Sequence, residues 1–196
     1  YEAVFESNTS QKAFEEDVLL AGFGSAPTKN EGSAVSYDDA GQQWTARYQH
    51  ETVALAFSIT EEAEEDGQYG SIASRYTKAL ARSMASTKEI KAANVLNNAT
   101  SANIGDGTTL LSTSHPTQNG NQSNTLATAA DLSETSLEAI LIQIADMKDE
   151  RGLRIAAQGT QLVIPTAYTF VAERLLESQL RTGTADNDIN AIKSGG

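Results

Sequence analysis

The chain has 196 residues, 39% hydrophobic and 6% aromatic, with a formal net charge of −12. That length suits one domain with a sizeable core, but the apolar content is lean, which fits an extended or lattice-supported subunit and equally a polar globular domain. The acidity disfavours nonspecific gripping of phosphate backbones, and the lack of cysteine excludes disulfides and thiolate metal sites.

No apolar run approaches the roughly 20 residues of a membrane-spanning helix, and no signal peptide opens the sequence. The chain begins on Tyr1 rather than Met, so the native start is expected upstream. Lys193-Ser194-Gly195-Gly196 is likewise not an expected domain finish.

In chain order, residues 11–21 read as a short amphipathic helix with Phe14, Val18 and Leu19 on one side, broken by Gly22 and Gly24. Residues 24–42, rich in Gly, Ser, Asn and Asp, read as loop or weak strand. Trp44, Ala46 and Tyr48 then alternate with Thr45, Arg47 and Gln49, and Val53, Leu55, Phe57 and Ile59 alternate with smaller residues. The two sets differ in parity, which predicts a bulge near residues 50–52. Residues 34–37 are the expected partner strand, across a turn at 38–41. Such a two-stranded arm is marginal alone and needs a surface to lie on.

A long helix is predicted over residues 67–98, where Tyr69, Ile72, Ala73, Tyr76, Leu80, Met84, Ile90 and Leu96 recur at mostly three- and four-residue steps. The preceding acids Glu61-Glu62-Ala63-Glu64-Glu65-Asp66 suit the positive end of its dipole. At ~1.5 Å per residue the helix exceeds ~40 Å and acts as a strut. Residues 99–130 are polar, with Leu110-Leu111 as a buried-strand candidate and Asn119-Gly120 as a tight turn. A second helix is predicted over 133–151, capped by Ser133, striped by Leu137, Ile140, Leu141, Ile144 and Met147, and stopped by Gly152. Leu162-Val163-Ile164 reads as a short buried strand. A third helix follows over 166–180, with Phe170, Val171, Leu175 and Leu176 inward and Gly183 as its stop.

The order arm, strut, polar connector and helix–strand–helix resembles the Hong Kong 97-type fold of tailed-phage major capsid proteins, in its Mu-like head-subunit variant. The resemblance runs through Gly105-Asp106-Gly107, Leu110, Ser114-His115-Pro116, Asp131-Leu132-Ser133, Asp149-Glu150-Arg151-Gly152, Leu162-Val163-Ile164-Pro165 and Asn187-Asp188-Ile189-Asn190. It implies an α+β fold with an N-terminal segment (1–24), an extended β-hairpin arm or E-loop (25–60), a spine helix (61–100), a peripheral domain with its connector (101–182) and the start of an axial domain (183–196) that is largely missing from this chain.

It implies, further, a structural and non-enzymatic subunit of the virion, without cofactor or metal. Such a subunit assembles with itself in the host cytoplasm into hexamers and pentamers. Portal, scaffold or protease, and decoration proteins are the implied partners, and the shell encloses double-stranded DNA without sequence-specific binding or a membrane. Some members cross-link an arm lysine to an asparagine. Lys29 is the only arm lysine here, no partner motif accompanies it, and no cross-link is expected.

Candidate subunit-interface residues are Lys29, Trp44, Arg47, Tyr48 and Phe57 on the arm. Aromatics and Arg are favoured at interface centres, and the alternative is packing on their own domain. The basic stripe Arg75, Lys78, Arg82, Lys88 and Lys91 reads as solvated charge or as a partner for a neighbour's acids rather than for DNA. The competing functional readings are an encapsulin-type compartment, a small hydrolase using His115, and a tail or adhesion binding module. The hydrolase reading is opposed by the absence of a strand–turn–helix elbow around Ser112 and Ser114.

Overall fold

The computed structural model describes residues 1–65, 67, 69–180 and 188–194. The fold is mixed α and β. Strands β1 (Phe14–Ala21) and β2 (Gly41–Gln49) form one two-stranded sheet, and β3 (His115–Thr117) and β4 (Gly120–Gln122) another. The helices are α1 (Glu61–Glu65), α2 (Tyr69–Asn97), α3 (Glu134–Ala145), α4 (Thr169–Glu177) and the single turn α5 (Ala191–Ser194). The chain divides into two compact units, Tyr1–Val18 with Thr45–Leu110 and Leu19–Trp44 with Leu111–Gly196.

β2 forms where Trp, Thr and Tyr favour extended backbone. Its partner is β1, not residues 34–37, and the helix expected over 11–21 is this strand. Glu16 faces Arg47 and the Ala13 carbonyl accepts from the His50 amide at 3.4 Å, so partner numbers run in opposite directions and the pair is antiparallel. Both strands keep period two in part, with Asp17, Gln42 and Tyr48 exposed at positions of the covered parity. Glu15, Leu19 and Ala21 on β1 and Trp44 and Ala46 on β2 are covered, while Phe14, Glu16, Val18 and Leu20 are exposed. A cross-strand cation for the Glu15-Glu16-Asp17 run outweighs the weak helical spacing of Phe14 and Val18.

β2 ends at Gln49, and residues 50–60 form neither strand nor bulge. They lie along α2. Glu51 ion-pairs with Lys91, and the Phe57 ring meets Tyr76 at 6.1 Å between centroids. Six extended residues span about 20 Å, close to the roughly 22 Å of helix between residues 76 and 91. The alternation of Val53, Leu55, Phe57 and Ile59 therefore marks an extended strap antiparallel to the helix. α2 has the predicted extent. Glu61–Glu65 form their own short helix rather than its first turn, and Asp66 of that acid run lies outside the described residues.

In the second unit, β3 and β4 pair His115 with Gln122 and Thr117 with Gly120, leaving Gln118 and Asn119 as the turn. Gly120 takes φ +105°, which a side chain would strain. Leu110-Leu111 form no strand. Ser133 caps α3 as expected. Its hydroxyl accepts from the Ser136 amide at 3.2 Å, and the Ser133 amide donates to the Ser136 hydroxyl at 2.9 Å.

α3 stops at Ala145, six residues early, because Asp149 captures the backbone. Asp149 Oδ1 accepts from the amides of Arg151 at 2.9 Å and Leu153 at 2.8 Å, and an aspartate that bonds its own backbone competes with the helix. Gly152, at φ +86°, belongs to this turn and not to the helix end.

Leu162–Ile164 are outside any strand. In α4 the inward residue is Ala172, flanked by Val171 and Leu175, while Phe170 is 75% exposed. Two residues from Ala172 at about 100° each put Phe170 on the opposite side. Gly183, expected to stop this helix, lies outside the described residues. Asn190, 4% exposed, holds the end of α4: its Nδ2 donates to the carbonyls of Leu175 at 2.7 Å and Ser178 at 3.0 Å, and its Oδ1 accepts from the Ile192 amide at 3.1 Å.

Among the described residues the buried apolar side chains are Ala21, Ala99, Leu137 and Ala172. The chain exposes 15374 Å².

Candidate subunit interface

The five arm residues singled out in the sequence occupy different environments. Trp44 is half-buried on the covered side of β2. Tyr48, at the same parity near the strand's end, is exposed. Arg47 lies on the open side and is engaged within its own unit. Its Nε donates to Glu16 Oε1 at 2.7 Å, its guanidinium ion-pairs with that carboxylate at 2.5 Å, and it sits 4.4 Å from the centre of the Phe14 ring. This pairing joins charge and cation–π attraction across the two strands. Phe57 is carried by the strap onto Tyr76. Lys29 is exposed in the irregular segment between β1 and β2. Trp44, Arg47 and Tyr48 share strand β2, Lys29 stands in the segment before it and Phe57 in the strap after it.

Sequence reasoning missed the more open apolar residues. Leu20 is 68% exposed, Phe23 61%, Val35 64% and Tyr37 95%. No local pattern marks them, because openness is set by which distant segments fail to cover a side chain.

The segment between β1 and β2 has a polar clasp, all within the second unit. Arg151 ion-pairs with Asp38 at 2.5 Å and donates to Gln118 Oε1 at 2.9 Å. Asp38 also accepts from the amides of Gly24 at 2.7 Å and Asp39 at 3.0 Å. The Gly24 amide, followed by the Arg151 guanidinium, holds the Asp38 carboxyl below its ordinary range. One arginine in the 149–152 turn thereby fixes both ends of the loop from residue 24 to 38 and the β3–β4 turn. The fit is close, since a Cβ on Gly152 would stand 2.2 Å from Asn119 Nδ2.

The hydroxyls near His115 serve local turns: Ser112 Oγ accepts from the Ser114 amide at 3.1 Å, and Ser114 Oγ accepts from Asn121 Nδ2 at 2.7 Å. Among the described residues no group of three or more His, Cys, Asp or Glu is placed to hold a metal ion, and no helix is long and apolar enough to cross a membrane.

Over residues 42–196, from β2 to the last residue, the sequence matches a family described as phage capsid protein. The chain belongs to that family. No curated protein and no solved structure matches the chain. Membership gives this capsid protein a structural role in the phage virion and implies self-assembly into a shell. Its sparse core and broad exposed apolar surface are physically consistent with a subunit that completes its packing against other copies.

Proposed function

We propose that this capsid protein is the major shell subunit of a tailed double-stranded DNA phage, with a Hong Kong 97-type fold of the Mu-like group. Hexamers and pentamers of the chain close an icosahedral shell around the genome. The arm, led by Trp44, Tyr48, Lys29 and the open residues Val35 and Tyr37, lies on an adjacent subunit and finds there the cover it lacks. Residues 61–100 act as the spine and 101–182 as the peripheral domain. Residues 183–196 begin an axial domain, of which 188–194 are described. Portal, scaffold or protease, and decoration proteins are the partners of such a subunit, assembly takes place in the host cytoplasm, and the enclosed DNA is held without base recognition.

The observation that carries this reading is the exposed surface. Among the described residues Leu20, Phe23, Val35 and Tyr37 are each more than 60% exposed, while the buried apolar side chains are Ala21, Ala99, Leu137 and Ala172, so large apolar groups are left to be covered by other copies. Each contact alone is offset by lost freedom, and closed symmetry multiplies the remainder. Electron microscopy and sedimentation of the purified full-length protein test it. Uniform closed shells are the expected result. A monodisperse monomer that stays single at high concentration would overturn it.

A further inference from the structure

Helix α2 has two opposite sides. Ala73, Leu80, Met84 and Thr87 are half-buried, and Lys91, ion-paired to Glu51, falls on the same side. At about 100° per residue, Arg75, Lys78, Arg82 and Ser86 fall on the other side, within about 80° of arc. All four are exposed. The three cations span about 10 Å of helix, and Lys78 and Arg82 edge an open groove with Ser83 and Ser86. Among the described residues none pairs with Arg75, Lys78 or Arg82.

The complement lies on the same chain. Glu61, Glu62 and Glu65 of α1 are exposed and, among the described residues, they too are unpaired. The carboxylates therefore do not meet the α2 cations within one molecule, although both belong to the first unit.

We infer that the Arg75–Lys78–Arg82 face of α2 docks a second copy of this chain and receives Glu61, Glu62 and Glu65 of the partner subunit. The inference rests on the shell-subunit reading and deepens it by naming one pair of matching surfaces. Each copy offers α1 to one neighbour and α2 to another, a head-to-tail contact that generates a ring when the rotation closes. Duplex DNA is the competing occupant of a cationic face. It is disfavoured because the rest of a chain with net charge −12 repels it, whereas a carboxylate helix meets this face with complementary sign.

The test is charge reversal and exchange in the full-length protein, with shell formation followed by light scattering and electron microscopy over a range of salt. R75E/K78E/R82E raises the concentration needed for shells at least about tenfold at low salt. The gap narrows at high salt as screening weakens the wild-type contact. Adding E61K/E62K/E65K to the same chain restores assembly to within about threefold of wild type. Far-UV circular dichroism checks that α2 persists. If the reversal unfolds it, R75Q/K78Q/R82Q serves instead, with an expected rise of about threefold. The inference is overturned if the reversed protein assembles like wild type, or if exchange of the α1 acids restores nothing. It is also overturned if shells form normally while the wild-type subunit's binding of a short duplex is lost. A wild-type protein that makes no shells at all would instead remove the reading on which the inference rests.

Discussion

Helices α2 and α3 have contrasting ways of being stable. α3 has 12 residues, a reciprocal Ser133–Ser136 cap and a buried Leu137. The loop behind it fits so closely that a Cβ on Gly159 would come within 2.9 Å of Leu141. α2 has 29 residues, none of them buried among those described, and Tyr76, Ile90, Val95 and Leu96 remain open. The short helix is capped and packs Leu137 within its own unit, with Ile142 left open. The long one has one side served by a strap and another left to solvent or to other copies. Length, then, is no measure of self-sufficiency; a helix in water draws most of its stability from packing of its apolar face.

Truncation is the strongest way to break this contrast. Leu137→Ala is expected to lower the unfolding free energy of the unassembled subunit by about 3 kcal/mol in urea titration, while Ile90→Ala changes it by less than about 0.5 kcal/mol. Equal losses would mean that α2 is as well packed as α3.

Next in size is Gly152→Ala, which places a methyl against Asn119 and a side chain at φ +86°. A loss of about 2 kcal/mol is expected by the same titration, with Asn119→Gly on the same chain recovering part of it. A neutral result would show that the turn shifts freely. Ser133→Ala sharpens the comparison further, since it removes the cap from the helix that has one, at an expected cost of about 1 kcal/mol.

The smallest effect concerns the clasp. The Asp38 carboxyl is held below its ordinary range, so its ionised form is favoured by folding. The resulting stability is fully present above the unfolded value of about 3.9 and is lost as pH falls through the lower folded value. The stability difference between wild type and Asp38→Asn should therefore be constant near neutrality and vanish at the acid end. A difference that persists at the lowest pH would separate Asp38 from this effect.

The sequence carried the helices better than the pairings. Apolar recurrence at three and four residues placed α2 within two residues at its start and one at its end, and Ser133 marked the start of α3. Alternation likewise identified extended backbone at residues 44–59, but alternation does not say what an extended segment lies against. Half of that run pairs with β1 and the rest follows a helix.

Residues 11–21 were misread because Phe14, Val18 and Leu19 suit one helix face, whereas in the strand Leu19 falls on the side opposite Phe14 and Val18, and the cross-strand cation that decides for the strand, Arg47, is 31 positions from Glu16. The Arg151–Asp38 clasp spans 113 positions, beyond any local pattern. Of the candidate interface, the aromatic content of β2 was legible. The open state of Val35 and Tyr37 was not, because exposure depends on the absence of covering neighbours.

The strap of residues 51–59 has a consequence for how this molecule breathes. It is fastened to α2 through side chains, at Glu51 and Phe57, and among the described residues no backbone hydrogen bond joins it to another segment. A ladder releases cooperatively, many bonds at once; two separate fasteners release one at a time. Its amides in the free subunit should accordingly exchange with deuterium almost as fast as those of an unstructured peptide, beside a helix whose own amides are protected.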